Sequence, residues 1–104
     1  MPGKNMTIST DILELWKQHS SAALPKGYNG KRLNKIDLAL LDAEIAGCVR
    51  IYVNQGTLEF RHLETLSNRL IDLNSIMLLL NNEEMVYFNR LRTLADLILQ
   101  EVKS

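Results

Sequence analysis

Apolar residues recur along much of the chain three and four positions apart with polar residues between them, the spacing of amphipathic helix rather than of strand. Four helical segments follow from that pattern. The first is expected from about Thr10 to Leu24, entered through Ser9, Thr10 and Asp11, any of which can cap a helix. It would bury Ile12, Leu15, Trp16, His19 and Ala23 along one stripe. Pro25 disfavours helical geometry at Leu24 and ends the segment. The stretch PKGYNGKRLN then reads as a loop holding an Asn-Gly turn signal.

The second segment is expected to start with Asn34 as its cap. Asp37 adds a carboxylate to the first turn, and Leu33 and Leu38 have the spacing of a hydrophobic staple. Gly56 is its natural stop. One stripe holds Ile36, Leu40, Ala43, Gly47 and Ile51, another Leu38, Leu41, Ile45, Val49 and Tyr52. At about 100° per residue the two lie on opposite flanks, so this helix is expected to be sandwiched at the centre of the fold. Gly47 costs a helix interior roughly 1 kcal/mol relative to alanine, and a close backbone approach beside Ala43 is the expected compensation.

The third segment, about Leu58 to Leu80, places Leu63, Leu66, Leu70, Leu73, Met77 and Leu80 at alternating steps of four and three, the seam of a coiled-coil-like contact. The fourth, about Asn82 to Val102, repeats the pattern with Phe88, Leu91, Ala95, Ile98 and Val102. These seams are expected to face each other as an antiparallel hairpin. Asn81 with Glu84 resembles a capping box, and Leu80 with Met85 has staple spacing. The heptad phase also shifts across the join, so a turn is expected there rather than one continuous helix.

Composition agrees with helices, because leucine and isoleucine fill 27 positions against four valines. The expected fold is all-α: an up-and-down antiparallel helical bundle of three long helices and one shorter N-terminal helix. At 104 residues and 46% apolar the chain suits one domain with a real core. Residues 1–8 read as a flexible tail without the apolar stretch of a secretory signal, and 9–104 as the bundle. The richest apolar run, Leu38 to Val53, is interrupted by Asp42, Glu44 and Arg50, which marks a buried helix and no membrane span. One cysteine excludes an intramolecular disulfide and fits a reducing compartment, so a cytoplasmic protein is expected.

Charge narrows the function. Twelve basic and twelve acidic side chains cancel, which argues against a dedicated nucleic-acid binder. The distribution is uneven, since residues 1–35 carry six basic and two acidic side chains. Lys26, Tyr28, Lys31, Arg32 and Lys35 gather that excess around the glycine-bearing loop. Such a loop can dock an acidic protein, a phosphate or RNA; the plainer reading is that its charges meet acids of the third and fourth helices.

Catalytic groupings are not readable. Glu59 and His62 have the Glu-x-x-His spacing of one half of a diiron motif, without the second copy and off the leucine seam. Cys48 lies in the most apolar segment, where a buried, inert thiol is expected. Nucleophile-elbow serines and phosphate-cradling glycine loops are absent from the sequence. Neither catalytic residues, nor a metal site, nor a cofactor is expected. Ile71, Leu78, Leu79, Val86, Leu97 and Leu99 fall off the seams and are too many for one hairpin to hide, so they are expected to form an interface, most simply of a homodimer. The sequence thus points to a non-catalytic protein-interaction or regulatory module that self-associates through apolar helix faces. The alternatives are an immunity- or antitoxin-like binder of a protein partner, and a nucleic-acid or phosphate binder working through the loop 26–35.

Overall fold

Ser9 accepts a hydrogen bond from the Ile12 amide at 3.3 Å, and from that cap the chain enters α1 (Thr10–Ser21). The computed structural model describes residues 8–103. The expected tail, residues 1–8, lies outside them apart from Ile8, which packs against the core. Helix α1 stops short of Leu24. Ala22 is already extended and Ala23 is exposed, because the chain must leave the helix early for Pro25 and Tyr28 to reach buried positions.

The loop contains two turns. Lys31 donates its amide to the Tyr28 carbonyl at 3.0 Å across Asn29-Gly30, with Gly30 at φ +82°, the left-handed geometry that glycine adopts without steric cost. A small antiparallel hairpin follows, with β1 (Arg32–Leu33) paired to β2 (Ile36–Asp37) in the register Arg32 to Asp37 and Leu33 to Ile36. Asn34 and Lys35 form its tip, both at positive φ. Asn34 therefore does not cap the second helix. Its tolerance of left-handed backbone places it in the turn, and Asp37 takes the cap, accepting from the Leu40 amide at 3.0 Å. From there α2 (Leu38–Gln55) runs to Gly56, which stops it at φ +78°.

Helix α3 (Phe60–Ile76) begins two residues later than expected, with Glu59 at its cap and Leu58 buried before it. A single 3-10 turn, Met77–Leu79, closes it. The capping box then forms in both directions: Glu84 donates its amide to the Asn81 side chain at 2.8 Å, and Asn81 donates its amide to the Glu84 carboxylate at 3.0 Å. The chain turns there into α4 (Asn82–Lys103) as a separate helix.

The four helices pack as an all-α, up-and-down bundle. Leu66, Leu70, Leu73, Met77 and Leu80 of one seam and Phe88, Leu91, Ala95 and Ile98 of the other are buried. Leu94, Tyr87 and Ile76 join them. On α2 only the stripe Leu38, Leu41, Ile45, Val49, Tyr52 is fully buried, whereas Leu40 and Ala43 of the other stripe face solvent. The sandwiched position belongs instead to α4, which packs against α1, α2 and α3 alike. Hydrogen bonds from Tyr87 to Asp42 and from Tyr52 to Glu101 show α2 and α4 running side by side in the same direction. The bundle is thus pressed together along one diagonal, and α1 meets α2 only sparsely. Leu97 and Leu99, expected on the surface, are half-buried against the core for the same reason: a helix with three neighbours buries more than one seam.

Candidate functional site

The residues of the basic loop have different surroundings. Tyr28 is buried and donates its hydroxyl to Asp42 Oδ2 at 2.7 Å. Lys31 Nζ reaches both carboxylate oxygens of Glu84, at 3.1 and 2.9 Å, and Glu84 is 1% exposed. The Lys26 amide donates to Glu83 at 3.4 Å. Arg32 and Lys35 are exposed at the hairpin, but they share a groove with Asp37, Glu44 and Asp72 as well as with Arg69. The expected docking loop is therefore a strap held to α2 and α4. Of its charges, Lys31 meets Glu84, whereas Lys26 is tied through its backbone amide and the side chains of Arg32 and Lys35 stay exposed.

The apolar residues expected at an interface divide differently. Leu97 and Leu99 are half-buried against the core, whereas Ile71, Leu78, Leu79 and Val86 stay exposed, at 66%, 94%, 49% and 64%. All four sit at or near the α3–α4 corner. The 3-10 turn explains the most exposed of them, because it sends Met77 and Leu80 inward and Leu78 outward. Met77, Leu78, Met85 and Val86 line a shallow groove there with Asn82, Asn89 and Arg92. Arg92, the one charged residue of that lining, donates to Asn89 at 2.8 Å and to Asn74 at 3.4 Å.

A third feature had no signature in the sequence. Where α1 and α2 diverge, a cleft of about 460 Å³ opens, with Ala39, Ala43 and Ala46 of α2 among its lining together with Trp16 and His19 of α1 and Ala22 just past its end. Tyr28, Asp42 and Tyr87 line it as well. Asp42 is buried and accepts from two hydroxyls, Tyr28 at 2.7 Å and Tyr87 at 2.9 Å, both on Oδ2. Burial, and then the bond to Asp42, push the Tyr28 phenol up to about 12 and move Tyr87 in the same direction. Both rings are thus neutral donors at ordinary pH.

His19, 5% exposed, accepts a hydrogen bond on Nδ1 from Arg90 Nε at 3.1 Å. An accepting Nδ1 puts the proton of the neutral ring on Nε2. Burial, reinforced by Arg90, lowers the His19 pKa and keeps that neutral form. Its Nε2 is enclosed and has no hydrogen-bond partner. Trp16 stacks beside His19 with ring centroids 6.1 Å apart, and the Arg50 guanidinium lies 5.8 Å from the Trp16 ring centre.

Glu59 and His62 do not come together as metal ligands. The Glu59 carboxylate accepts from Arg61 instead, at 3.1 Å. No group of three or more His, Cys, Asp or Glu side chains converges among the described residues. Cys48 is buried beside the His62 carbonyl, and burial pushes its thiol up, away from the reactive thiolate. No described helix is long and apolar enough to cross a membrane. No known protein family matches the chain, and neither does any curated protein or solved structure.

Proposed function

We propose that this chain is a non-catalytic protein-interaction module that pairs with a second copy of itself through the α3–α4 corner. The observation that carries the reading is the exposure of Leu78 and Val86, which line a groove with Met77 and Met85, with Ile71 exposed five residues before the end of α3. Isolated apolar residues on a surface need no explanation, but adjacent large ones at one corner suit an interface. Two-fold pairing brings a patch against itself, so any strong charge within it would meet its own kind. The groove lining carries one charge, Arg92, which keeps its charge while bonded to Asn74 and Asn89, so the pairing has to leave that guanidinium at its solvated rim.

Magnitudes set the strength expected. Burying a side chain of this size is worth about 1.5–3 kcal/mol, so three from each copy return on the order of 10 kcal/mol. Association costs roughly 4–15 kcal/mol in lost freedom, so the net gain is at most about 6 kcal/mol and the pairing expected is no tighter than tens of micromolar. A cytoplasmic setting belongs to the same reading, supported by the buried, unpaired Cys48.

Light scattering behind size exclusion tests the proposal. A dimer near twice 11.9 kDa is expected, unaffected by added salt and reduced to monomer by Leu78→Glu. A monomer at every concentration overturns the proposal, as does a dimer that Leu78→Glu leaves intact.

A further inference from the structure

We infer that α1 is a pH-sensitive latch: mild acid detaches it from α2 and α4 while the rest of the bundle stays folded, and His19 is the trigger. The inference is independent of self-association, since no residue of α1 lines the groove at the α3–α4 corner.

The hold on α1 gives the first argument. Of its side chains only Ile12 and His19 are fully buried, against seven on α2 and seven on α4. Leu15 and Trp16 add partly buried contacts. An element held by so little buried surface opens more easily than the core it leans on. That core does not need α1, because α2, α3 and α4 also pack against one another. The strap that follows α1 is tied separately, through Tyr28 to Asp42 and through Lys31 to Glu84, so it can stay in place when α1 leaves.

The chemistry of His19 gives the second argument, since one of the two anchors is ionisable. In the neutral ring Nε2 carries the proton and Nδ1 accepts from Arg90 Nε at 3.1 Å. A second proton has to go on Nδ1, where the Arg90 N–H already points. Protonation therefore turns a hydrogen bond into a contact of two donors and sets two cations side by side at a position 5% exposed. Nε2 is enclosed and has no partner, so nothing on that edge of the ring offsets the charge. Around His19 stand Arg90 and Tyr87 of α4, Asp42 of α2 and Tyr28 of the strap, with Arg50 of α2 beyond Trp16. Both phenols are neutral, and Asp42 favours the charged ring. Burial and then Arg90 outweigh Asp42 and hold the His19 pKa below its ordinary value.

The sign follows from linkage. Once α1 is detached His19 regains the ordinary value near 6.5, so the open form binds the proton more tightly. The docked helix has its full stability above about pH 7. Each pH unit below about 6.5 multiplies the ratio of open to docked α1 by up to about tenfold, until the pH passes the folded value.

Trp16 is the chain's sole tryptophan and lies one turn before His19 on α1, so its fluorescence follows the latch. Between about pH 8 and about pH 4.5 a reversible change centred below about 6.5 is expected, and the His19 ring signals in proton NMR should titrate at the same midpoint. Amide exchange at the acid end should show protection lost in α1 and kept in α3 and α4. His19→Phe keeps a buried ring without the ionisation and should abolish the change. Glu101→Gln keeps an acceptor for the Ser9 amide at the other end of α1 and should leave the change in place. The inference is overturned by fluorescence that stays level to about pH 4.5, by a change that His19→Phe retains or Glu101→Gln abolishes, by His19 signals that titrate apart from the Trp16 change, or by α1 and α3 losing protection together. Should His19→Phe fail to fold, the NMR midpoint and the exchange pattern of the wild-type chain still decide.

Discussion

Asp42 holds the hydroxyls of Tyr28 and Tyr87, so two buried phenols are satisfied by one carboxylate oxygen inside the bundle. This arrangement has a pH dependence with a definite sign. The Tyr28 phenol is raised to about 12 by burial and then by Asp42, and Tyr87 and Tyr52 also move upward. A tyrosine whose folded pKa exceeds its ordinary value near 10 adds stability that is complete below about pH 10 and is lost as pH rises through about 12. Urea unfolding between about pH 8 and about pH 11.5 should therefore show a falling midpoint, less steep in Asp42→Asn, where the carboxylate charge is gone. A midpoint that stays level would mean the hydroxyls are not held as the geometry shows. Gly47 gives a second prediction. A Cβ built there meets nothing within 4 Å, so the close approach expected beside Ala43 does not exist. Gly47→Ala should raise stability by about 0.5–1 kcal/mol, read from the same urea curves, because nothing offsets the entropy that glycine loses in a helix. None of the Asp42 network was legible in the sequence. Tyr28 and Tyr87 lie 14 and 45 positions from their shared acceptor, and no local pattern marks such a pairing.

At the scale of elements the sequence carries much more, because period, caps and staples are local. The fourth helix is readable almost to the residue, whereas the third starts two residues later than its pattern implies and ends in a 3-10 turn; its leucine seam still lies inside, and Asn81 and Glu84 close their box as their spacing implies. What misled was Asn34. Asn is a good helix cap and also one of the few residues at ease at positive φ, and only the pairing of Leu33 with Ile36 decides between the two uses. The extent of α1 failed similarly, since the pull of buried Tyr28 on the chain is a long-range effect. The seam itself is testable by contrast. Leu70→Ala, 8% exposed in the reference protein, should cost about 2–5 kcal/mol, whereas Glu64→Ala on the exposed face of α3 should stay within roughly ±0.5 kcal/mol. Equal effects in thermal or urea unfolding would contradict the burial pattern of α3.

For the whole molecule, the direct contact of α2 with α4 decides which surfaces remain open. With extents of 47 × 26 × 18 Å the bundle is flattened, so α1 stands partly off α2 and the cleft opens, while the α3–α4 corner projects its apolar residues into solvent. The sequence gives the surplus of apolar residues but not their allocation. Leu97 and Leu99 are half-covered because α4 has three neighbours, and Leu78 goes to water because a 3-10 turn rotates it outward. Self-association through that corner links stability to concentration. If only folded chains pair, mass action raises the melting temperature as the protein is concentrated. The wild-type chain should melt higher at about 100-fold greater concentration, whereas Leu78→Glu should melt at one temperature throughout. Because Leu78 is 94% exposed, the substitution should leave the dilute protein within roughly 0.5 kcal/mol of wild type, so any lost concentration dependence reports on pairing and not on folding. A melting temperature independent of concentration in both proteins would leave the corner unpaired and remove self-association as its role.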